Sequence, residues 1–168
     1  AADMDSMANT TAYSGASAWW NAGLTGAGVD VAVIDTGVSP VEGLATAGKL
    51  VYGPDLSLES QNAALRNLDT NGHGTFMAGL IAGKGSTLSA PYASAPSSAY
   101  RGMAPDARIV SIKVGVADGG VDVSQVIAAI DWVAQHRNYN GLNIRVINLS
   151  YGTNTTQAYT VDPLAYAI

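Results

Sequence analysis

Three short runs of apolar, mostly β-branched residues constrain the fold of this 168-residue chain more than any other feature. The runs are Val29 to Ile34, Arg108 to Val114 and Ile144 to Leu149. Each is largely apolar on both faces, which is typical of strands in a parallel sheet that helices cover on each side. The sequence therefore predicts buried parallel strands rather than an amphipathic antiparallel sheet.

Two helical segments alternate with these runs. The longer is predicted from Val123 to His136, where Asp122 is a good N-cap and Gln125 completes a capping-box pair. Its apolar residues recur at helical spacing, namely Val123, Val126, Ile127, Ile130 and Val133. The second helix is predicted to begin at Gly74 or Thr75. Strand, helix and strand in this order form βαβ units, so the expected fold is α/β with a parallel sheet and helices on both faces.

Composition favours a single folded domain over residues 1–168. Apolar residues make up 48% of the chain and charged residues 12%, which is enough apolar surface for a sizeable core. Residues Ser86 to Ala99 are rich in Ser, Ala and Pro without a stable period, and they predict an exposed loop. Residues 1–5 contain neither a basic nor an apolar targeting segment, so we expect a mature N-terminus.

Charge and cysteine usage exclude several classes of function. The net charge is −5 and the isoelectric point is about 4.6, which argues against a nucleic-acid-binding surface. No stretch approaches about 18 consecutive apolar residues, so no membrane span is predicted. The absence of cysteine removes disulfides, thiol nucleophiles and thiolate zinc sites.

Two polar residues stand at positions suited to chemistry. Asp35 ends the first apolar run, and catalytic groups of open parallel sheets gather at the carboxyl ends of strands, although Asp-Thr-Gly alone also suits a plain turn. His73 lies between two glycines at a predicted helix N-terminus, where the helix dipole favours a neutral imidazole. The other histidine, His136, ends the long helix beside Arg137, and we interpret it as structural.

Four segments in chain order resemble subtilisin-like serine proteases of the peptidase S8 type. VAVIDTGV at 31–38 and NGHGTFMAGLIAG at 71–83 are similar to the aspartate and histidine motifs of that family. GMAPDARIVSIKV at 102–114 resembles the strand after the histidine helix, and VINLSYG at 146–152 resembles the segment that lines the specificity pocket. The resemblance implies a three-layer α/β fold and a secreted serine endopeptidase that requires no cofactor.

The resemblance also implies a role for each matching residue. Asp35 would orient the imidazole of His73, and His73 would remove a proton from a serine hydroxyl. A peptide or protein substrate would bind as an added strand through main-chain hydrogen bonds. The residues expected to bind it are Gly119 and Gly120 on one side and Ser150, Tyr151 and Gly152 on the other.

The nucleophile of the family is not found among these 168 residues. The family order is Asp, His, Ser, and no serine of this chain lies in the expected Gly-Thr-Ser context. Asp162 and Pro163 predict the start of a further helix, and the sequence stops at Ile168, a few residues into it. We therefore expect residues 1–168 to be the N-terminal portion of one catalytic domain, inactive alone, with the serine and the oxyanion asparagine beyond Ile168 or on a second chain.

Two departures from the family pattern concern the surroundings of the site. Phe76 stands where the family usually has a second histidine, so packing beside the site is expected to differ. Glu42, Gly43 and Leu44 replace the segment in which many members carry a calcium-ligating aspartate. The sequence gives no support for a structural calcium site of that type, and it leaves the roles of Asp55 and Asp69 open.

Three other functions fit part of the sequence. An aspartic protease shares the Asp-Thr-Gly signature, but it needs two such aspartates and a nearly all-β fold. A dinucleotide-binding domain needs its glycine-rich run after a strand, whereas Gly23, Gly26 and Gly28 precede one. A non-catalytic fragment or binding module that retains the α/β core stays open from the sequence.

Overall fold

The computed structural model describes residues 6–152 and 158–168. In this part of the chain, four parallel strands form one sheet in the order β2-β3-β1-β4. The strands are β1 (Asp30–Asp35), β2 (Leu50–Asp55), β3 (Arg108–Lys113) and β4 (Ile144–Leu149). The α-helices are α1 (Met7–Tyr13), α2 (Ala16–Asn21), α3 (His73–Ala82), α4 (Val123–His136) and α5 (Pro163–Ala167), and short 3-10 helices are formed by Leu58–Gln61, Tyr92–Ser94 and Tyr159–Val161. The predicted mature N-terminus at residues 1–5 lies outside the described residues.

The side chains of β1 alternate between two helical layers. On one face, Val31 and Val33 pack in a buried cluster with Ala78 and Ala82 of α3. On the other face, the cluster comprises Ala32 and Ile34 with Val126, Ala129, Ile130 and Val133 of α4. The predicted α/β fold, with a parallel sheet between helices on both faces, is confirmed.

Helix boundaries follow the capping residues that the sequence shows. The Asp122 side chain accepts a hydrogen bond from Ser124 N at 2.8 Å, and Gln125 Oε1 accepts one from Asp122 N at 2.8 Å, so α4 begins with the predicted capping box. Helix α5 begins at Pro163 with Asp162 as its cap, also as predicted. Helix α3 begins at His73, one residue before the predicted start, because Gly72 turns the chain with a left-handed φ of 99°.

Strand β2 and helices α1 and α2 were not predicted from the sequence. The β2 sequence LVYGPD contains Gly53 and Pro54, which read as a turn. Proline is tolerated at a sheet edge, and β2 is an edge strand whose register with β3 shifts between Tyr52 and Asp55. Gly53 also packs closely on the sheet, since an added Cβ would lie 3.1 Å from Ile112 Cγ1.

Two predictions, one of burial and one of exposure, hold only in part. β4 was expected to be buried on both faces, but Val146 and Ile147 are 49% and 40% exposed, because β4 is the other edge of the described sheet. Most of the predicted loop Ser86 to Ala99 is exposed, yet Tyr92 within it is buried. The Tyr92 ring meets Trp20 edge to face, with ring centroids 6.2 Å apart, and this contact anchors the loop.

Candidate active site

Asp35 is placed by the carboxyl end of the central strand β1. Its side chain is 2% exposed, and Oδ1 accepts a hydrogen bond from Thr36 N at 2.7 Å. The backbone carbonyl of Asp35 accepts from Val114 N at 2.8 Å and from Gly115 N at 3.2 Å, just beyond β3. The carboxylate is therefore held at the carboxyl end of the parallel strands, beside the segment after β3, and ligands bind at this end in open α/β sheets.

His73 faces this carboxylate from the first position of α3. Its Nδ1 lies 2.8 Å from Oδ1 and 3.0 Å from Oδ2 of Asp35. A carboxylate can only accept, so the neutral imidazole that suits this contact carries its proton on Nδ1 and has Nε2 as an acceptor. The His73 side chain is 46% exposed. The pair thus joins a buried carboxylate to an imidazole that solvent or a substrate can reach.

Gly74 lets the two motifs approach this closely. A Cβ at this position would lie 2.1 Å from the carbonyl oxygen of Gly37, an impossible contact. Gly74 N also donates to Thr36 Oγ1 at 3.0 Å. The two glycines beside His73 therefore serve different purposes. Gly72 adopts a left-handed backbone conformation, and Gly74 lacks the Cβ that would collide with Gly37.

Asp69 is a supporting residue that sequence reasoning did not assign. Its Oδ2 accepts from Thr75 N at 2.8 Å and from Thr75 Oγ1 at 2.5 Å, and its Oδ1 accepts from Thr36 Oγ1 at 2.8 Å and Gly72 N at 2.7 Å. Burial acts to raise the pKa of Asp69, but the hydrogen bonds from Thr75, Gly72 and Thr36 outweigh it and hold that pKa below its ordinary value. Asp69 therefore fixes the start of α3 against the loop after β1.

A cleft of about 400 Å³ opens beside the Asp35–His73 pair. Apolar side chains form part of its wall, namely Ile34, Val114, Val121 and Leu149. Of the residues predicted to bind substrate, Gly119, Ser150, Tyr151 and Gly152 line this cleft, whereas Gly120 does not. The structure thus brings together segments that are far apart in the sequence around one concave surface.

The backbone groups at the two sides of the cleft differ in availability. The main-chain N–H and C=O groups of residues 150–152 have no partner within the described residues. On the other side, Gly119 N donates to Val116 O at 2.8 Å, and Gly120 accepts at O from Val116 N at 3.1 Å and donates at N to Asp118 Oδ1 at 2.8 Å. The carbonyl of Gly119 is the group of these two glycines that stays without a donor in the described part of the chain.

An ion pair between a buried lysine at the end of β3 and a half-buried glutamate connects the segment before α3 with the sheet. Lys113, whose side chain is fully buried, donates at Nζ to Glu59 Oε2 at 2.5 Å and to Leu68 O at 2.5 Å. Glu59 also accepts from Thr70 Oγ1 at 2.8 Å and from Ala117 N at 3.2 Å. The hydrogen bond from Lys113 is the main cause that holds the pKa of Glu59 below its ordinary value, against the opposite effect of burial.

Asn71 completes this connection at the surface of the cleft, which it lines. Its Nδ2 donates to Ala117 O at 3.0 Å, and its Oδ1 accepts from His73 N at 3.3 Å. Both backbone groups of Ala117 are therefore held by side chains from the loop that leads to His73. No local sequence pattern indicates these partners.

The remaining candidate residues have other environments. His136 stacks on Trp132 with ring centroids 4.5 Å apart and has Nδ1 2.8 Å from Trp132 O, as suits a structural residue. Phe76 is 62% exposed on α3. Asp55 accepts hydrogen bonds from Ser57 N at 2.9 Å and Asn67 N at 2.9 Å. Within residues 6–152 and 158–168, no three His, Cys, Asp or Glu residues come together as a metal-binding group.

The sequence is similar to those of known proteins. The model of the subtilase family (peptidase S8) matches residues 26–166. A subtilisin-like protease of Coccidioides posadasii is 34% identical over 134 residues, which are 79% of this chain and 28% of that protein. The minor extracellular protease Epr of Bacillus subtilis is 32% identical over 136 residues, which are 81% of this chain and 17% of Epr.

Two further relatives cover similar parts of the chain. Subtilisin BL of Lederbergia lenta is 34% identical over 138 residues, which are 82% of this chain and 42% of that protein. The crystal structure of a cold-adapted subtilisin-like serine proteinase matches 67% of this chain and 34% of that chain, at 36% identity and a TM-score of 0.49. The present chain spans between 17% and 42% of the length of the three curated relatives. None of the helices in the described segments is long and apolar enough to cross a membrane.

Proposed function

The chain belongs to the subtilase family, and from that membership we propose that it is part of a serine endopeptidase that uses Asp35 and His73 as two members of a catalytic triad. The observation that carries the proposal is the contact between His73 Nδ1 and the buried Asp35 carboxylate, at 2.8 and 3.0 Å, beside a cleft of about 400 Å³. Family membership supports a serine protease in general, and this contact supports the roles of the two residues.

The proposed reaction follows from the hydrogen-bonding capacity of the imidazole. With its Nδ1 proton donated to Asp35, His73 accepts at Nε2 the proton of a serine hydroxyl while the serine oxygen attacks the carbonyl carbon of the scissile peptide bond. The resulting imidazolium is stabilised by the Asp35 carboxylate, and it then gives the proton from Nε2 to the leaving amine. Water repeats the same steps on the acyl-enzyme and releases the carboxyl product. Side chains supply all of this chemistry, and no cofactor is part of the proposal.

We assign the nucleophilic serine to sequence outside residues 1–168. Ser150 is the serine that lines the cleft, and its Oγ accepts a hydrogen bond from Asn148 Nδ2 at 3.1 Å. Within the described residues, no serine hydroxyl is hydrogen-bonded to the His73 ring. The serine would come from a longer chain or from a second chain, and residues 1–168 alone would not turn over substrate.

The substrate class in this proposal is an extended peptide or an unfolded protein segment. The backbone groups of residues 150–152, which have no partner within the described residues, can pair with a peptide strand. On the opposite side, the Gly119 carbonyl has no donor in the described part of the chain, whereas the N–H groups of Gly119 and Gly120 are used within their own turn. We therefore expect residues 150–152 to contribute more main-chain hydrogen bonds than the glycine turn. Like the relative named an extracellular protease, the protein is proposed to act outside the cell.

A serine-directed fluorophosphonate probe and a quenched fluorescent peptide test the proposal. The full-length protein should cleave the peptide and form one covalent adduct, on a serine outside residues 1–168. A His73→Ala variant should lose cleavage, whereas the matched variant His136→Ala should retain it. An adduct on a serine within residues 1–168 would show that the nucleophile is assigned wrongly. Full cleavage by the His73→Ala variant would remove the proposed triad.

A further inference from the structure

A second cavity lies at the amino ends of strands β2 and β3. The active-site cleft lies at the other end of the sheet, beyond the carboxyl ends of the strands. The volume of the second cavity is about 190 Å³, and its walls include the turn before β2 and residues 105–108. Three cationic side chains line it, namely Lys49, Lys84 and Arg108. The proposed hydrolysis uses none of them.

Two of the three cations have carboxylate partners. Lys84 Nζ lies 2.6 Å from Asp106 Oδ1, and Arg108 contacts both oxygens of Asp30, at 2.7 and 2.6 Å. Lys49 forms no ion pair within the described residues, and its Nζ donates instead to the carbonyl oxygens of Pro105 and Ala107, at 2.5 and 2.8 Å. The cavity therefore has one positive charge in excess.

The excess charge belongs to a buried side chain. Lys49 is 8% exposed. Burial is the main cause that lowers the pKa of Lys49 to about 8, with repulsion from Lys84 adding to it and attraction to Asp106 opposing it. At neutral pH the ammonium is still charged and has three donors, of which two are used. A buried charge is favourable only when it is paired, so this environment favours a bound anion.

The turn at residues 46–48 lines the same cavity. Thr46 O accepts from Lys49 N at 2.9 Å, which closes the turn, and Gly48 has a left-handed φ of 78°. The backbone N–H groups of Thr46, Ala47 and Gly48 have no acceptor within the described residues. Successive free N–H groups in a turn of this kind form anion-binding concavities.

We propose that this cavity binds a small oxyanion of sulfate or phosphate size, with Lys49 Nζ and the turn at residues 46–48 as donors. Lys84 and Arg108 flank the anion and contribute attraction without leaving their own partners. Since one water occupies about 30 Å³ in the liquid, a cavity of about 190 Å³ holds such an anion with a few waters but no nucleotide. The anion pairs with the excess positive charge of Lys49.

Sulfate is a suitable probe because it does not titrate between pH 6 and 10. A titration followed by amide and lysine Nζ signals in NMR, at constant ionic strength and pH 7, should show saturable shifts at the turn and at Lys49. A Lys49→Met variant should bind at least about tenfold more weakly, the effect of losing one charged hydrogen bond. Arg66→Met is the matched control, since it removes one exposed positive charge outside the cavity and should bind sulfate like the wild type.

The pH dependence of binding to the wild type provides a test that needs no variant. Above pH 8, sulfate affinity should fall by about tenfold per pH unit, the slope expected when one proton must be bound. The other groups at the cavity do not titrate there, because the pKa values of Lys84, Arg108 and Tyr92 are raised and those of Asp106 and Asp30 are lowered. Affinity that does not change with pH, equal binding by Lys49→Met, or no saturable shift in the wild type would each overturn the proposal.

Discussion

Asp30 and Asp35 are the first and last residues of β1, and their side chains are 4% and 2% exposed. At the amino end, Asp30 accepts from Arg108 Nε and Nη2 at 2.7 and 2.6 Å and from Asn143 N at 2.7 Å. At the carboxyl end, Asp35 contacts the imidazole of His73. Burial acts to raise the pKa of Asp30, but the bonds from Arg108 and Asn143 prevail and hold it below its ordinary value.

The two ends differ in the chemistry of the basic partner. An arginine keeps its proton at every accessible pH, so the Asp30–Arg108 pair is a permanent ion pair. When Nδ1 of His73 donates to Asp35, Nε2 of the same ring is free to accept a proton, so the Asp35–His73 pair can take part in proton transfer. Burial and pairing of an aspartate therefore do not by themselves indicate catalysis, and the proposed role of Asp35 rests on its contact with the accessible imidazole of His73.

The largest effect expected from this comparison concerns the carboxyl end. In the full-length protein, Asp35→Asn and His73→Ala should each lower kcat/KM by at least about 10⁴-fold, because triad members act as a unit. Peptide cleavage under steady-state conditions measures the effect, and the circular dichroism spectrum of each variant should match the wild type. Residual activity within a factor of ten of the wild type would mean that this end is as structural as the other.

The amino end should respond in stability instead. An Arg108→Met variant leaves the Asp30 carboxylate buried without its partner, and we expect a loss of about 3–5 kcal/mol in the free energy of unfolding. Urea unfolding measures the loss, and the double variant Asp30→Asn/Arg108→Met should recover part of it. The kcat of the folded Arg108→Met protein should stay close to that of the wild type. A loss in kcat comparable with that of His73→Ala would contradict the division between the two ends.

The sequence was most informative where a structure depends on neighbours in the chain. Strands β1, β3 and β4 follow from short runs of apolar residues. Helix α4 follows from apolar residues at helical spacing and from the capping residues Asp122 and Gln125. The pairing of Asp35 with His73 was predicted from the resemblance of two short motifs to the aspartate and histidine motifs of subtilisin-like proteases. In each of these cases, a few consecutive residues contain the information.

The parts that were missed depend on contacts between distant residues. β2 is a strand because it pairs with β3 at the sheet edge, in spite of its Gly-Pro sequence. Glu59 lies in the short 3-10 helix Leu58–Gln61 and Asp69 in the segment after it, where the sequence has no recognisable pattern. Their roles depend on Lys113 and Thr36, which are 54 and 33 residues away. Such partners are chosen by the register of the sheet, which single-sequence patterns do not specify.

Asp69 adds a third case to the comparison of Asp30 with Asp35. Its hydrogen bonds come from neutral donors, neither from an arginine nor from a histidine ring. An Asp69→Asn variant should lose about 1–3 kcal/mol of stability at pH 7, the range for a buried group left unsatisfied. The folded-state pKa of Asp69 lies below its unfolded value, so its stabilisation is present above about pH 4 and is lost as the pH falls through the folded-state pKa. The stability difference between variant and wild type should therefore decrease below pH 4 in urea titrations. A difference that is constant from pH 7 to pH 2 would exclude a role for the ionised carboxylate.

Lys49 gives the smallest expected effect, and it contrasts with Arg108 at the same edge of the sheet. Arg108 has a carboxylate partner, whereas Lys49 has two carbonyl oxygens. Its pKa is about 8 in the folded chain and 10.5 in the reference state, so between these values the unfolded chain binds more protons and stability rises with pH. Without sulfate, the wild type should gain about 1 kcal/mol relative to Lys49→Met between pH 8 and pH 9, near the limit for one proton. Saturating sulfate should remove this gain in stability. The bound anion favours the charged form of Lys49, so the folded chain keeps this proton between pH 8 and pH 9. A gain that persists in sulfate would mean that Lys49 loses its proton in the same way with and without sulfate. The amino end of the strands would then have no anion site, and only its ion pairs would distinguish it from the carboxyl end.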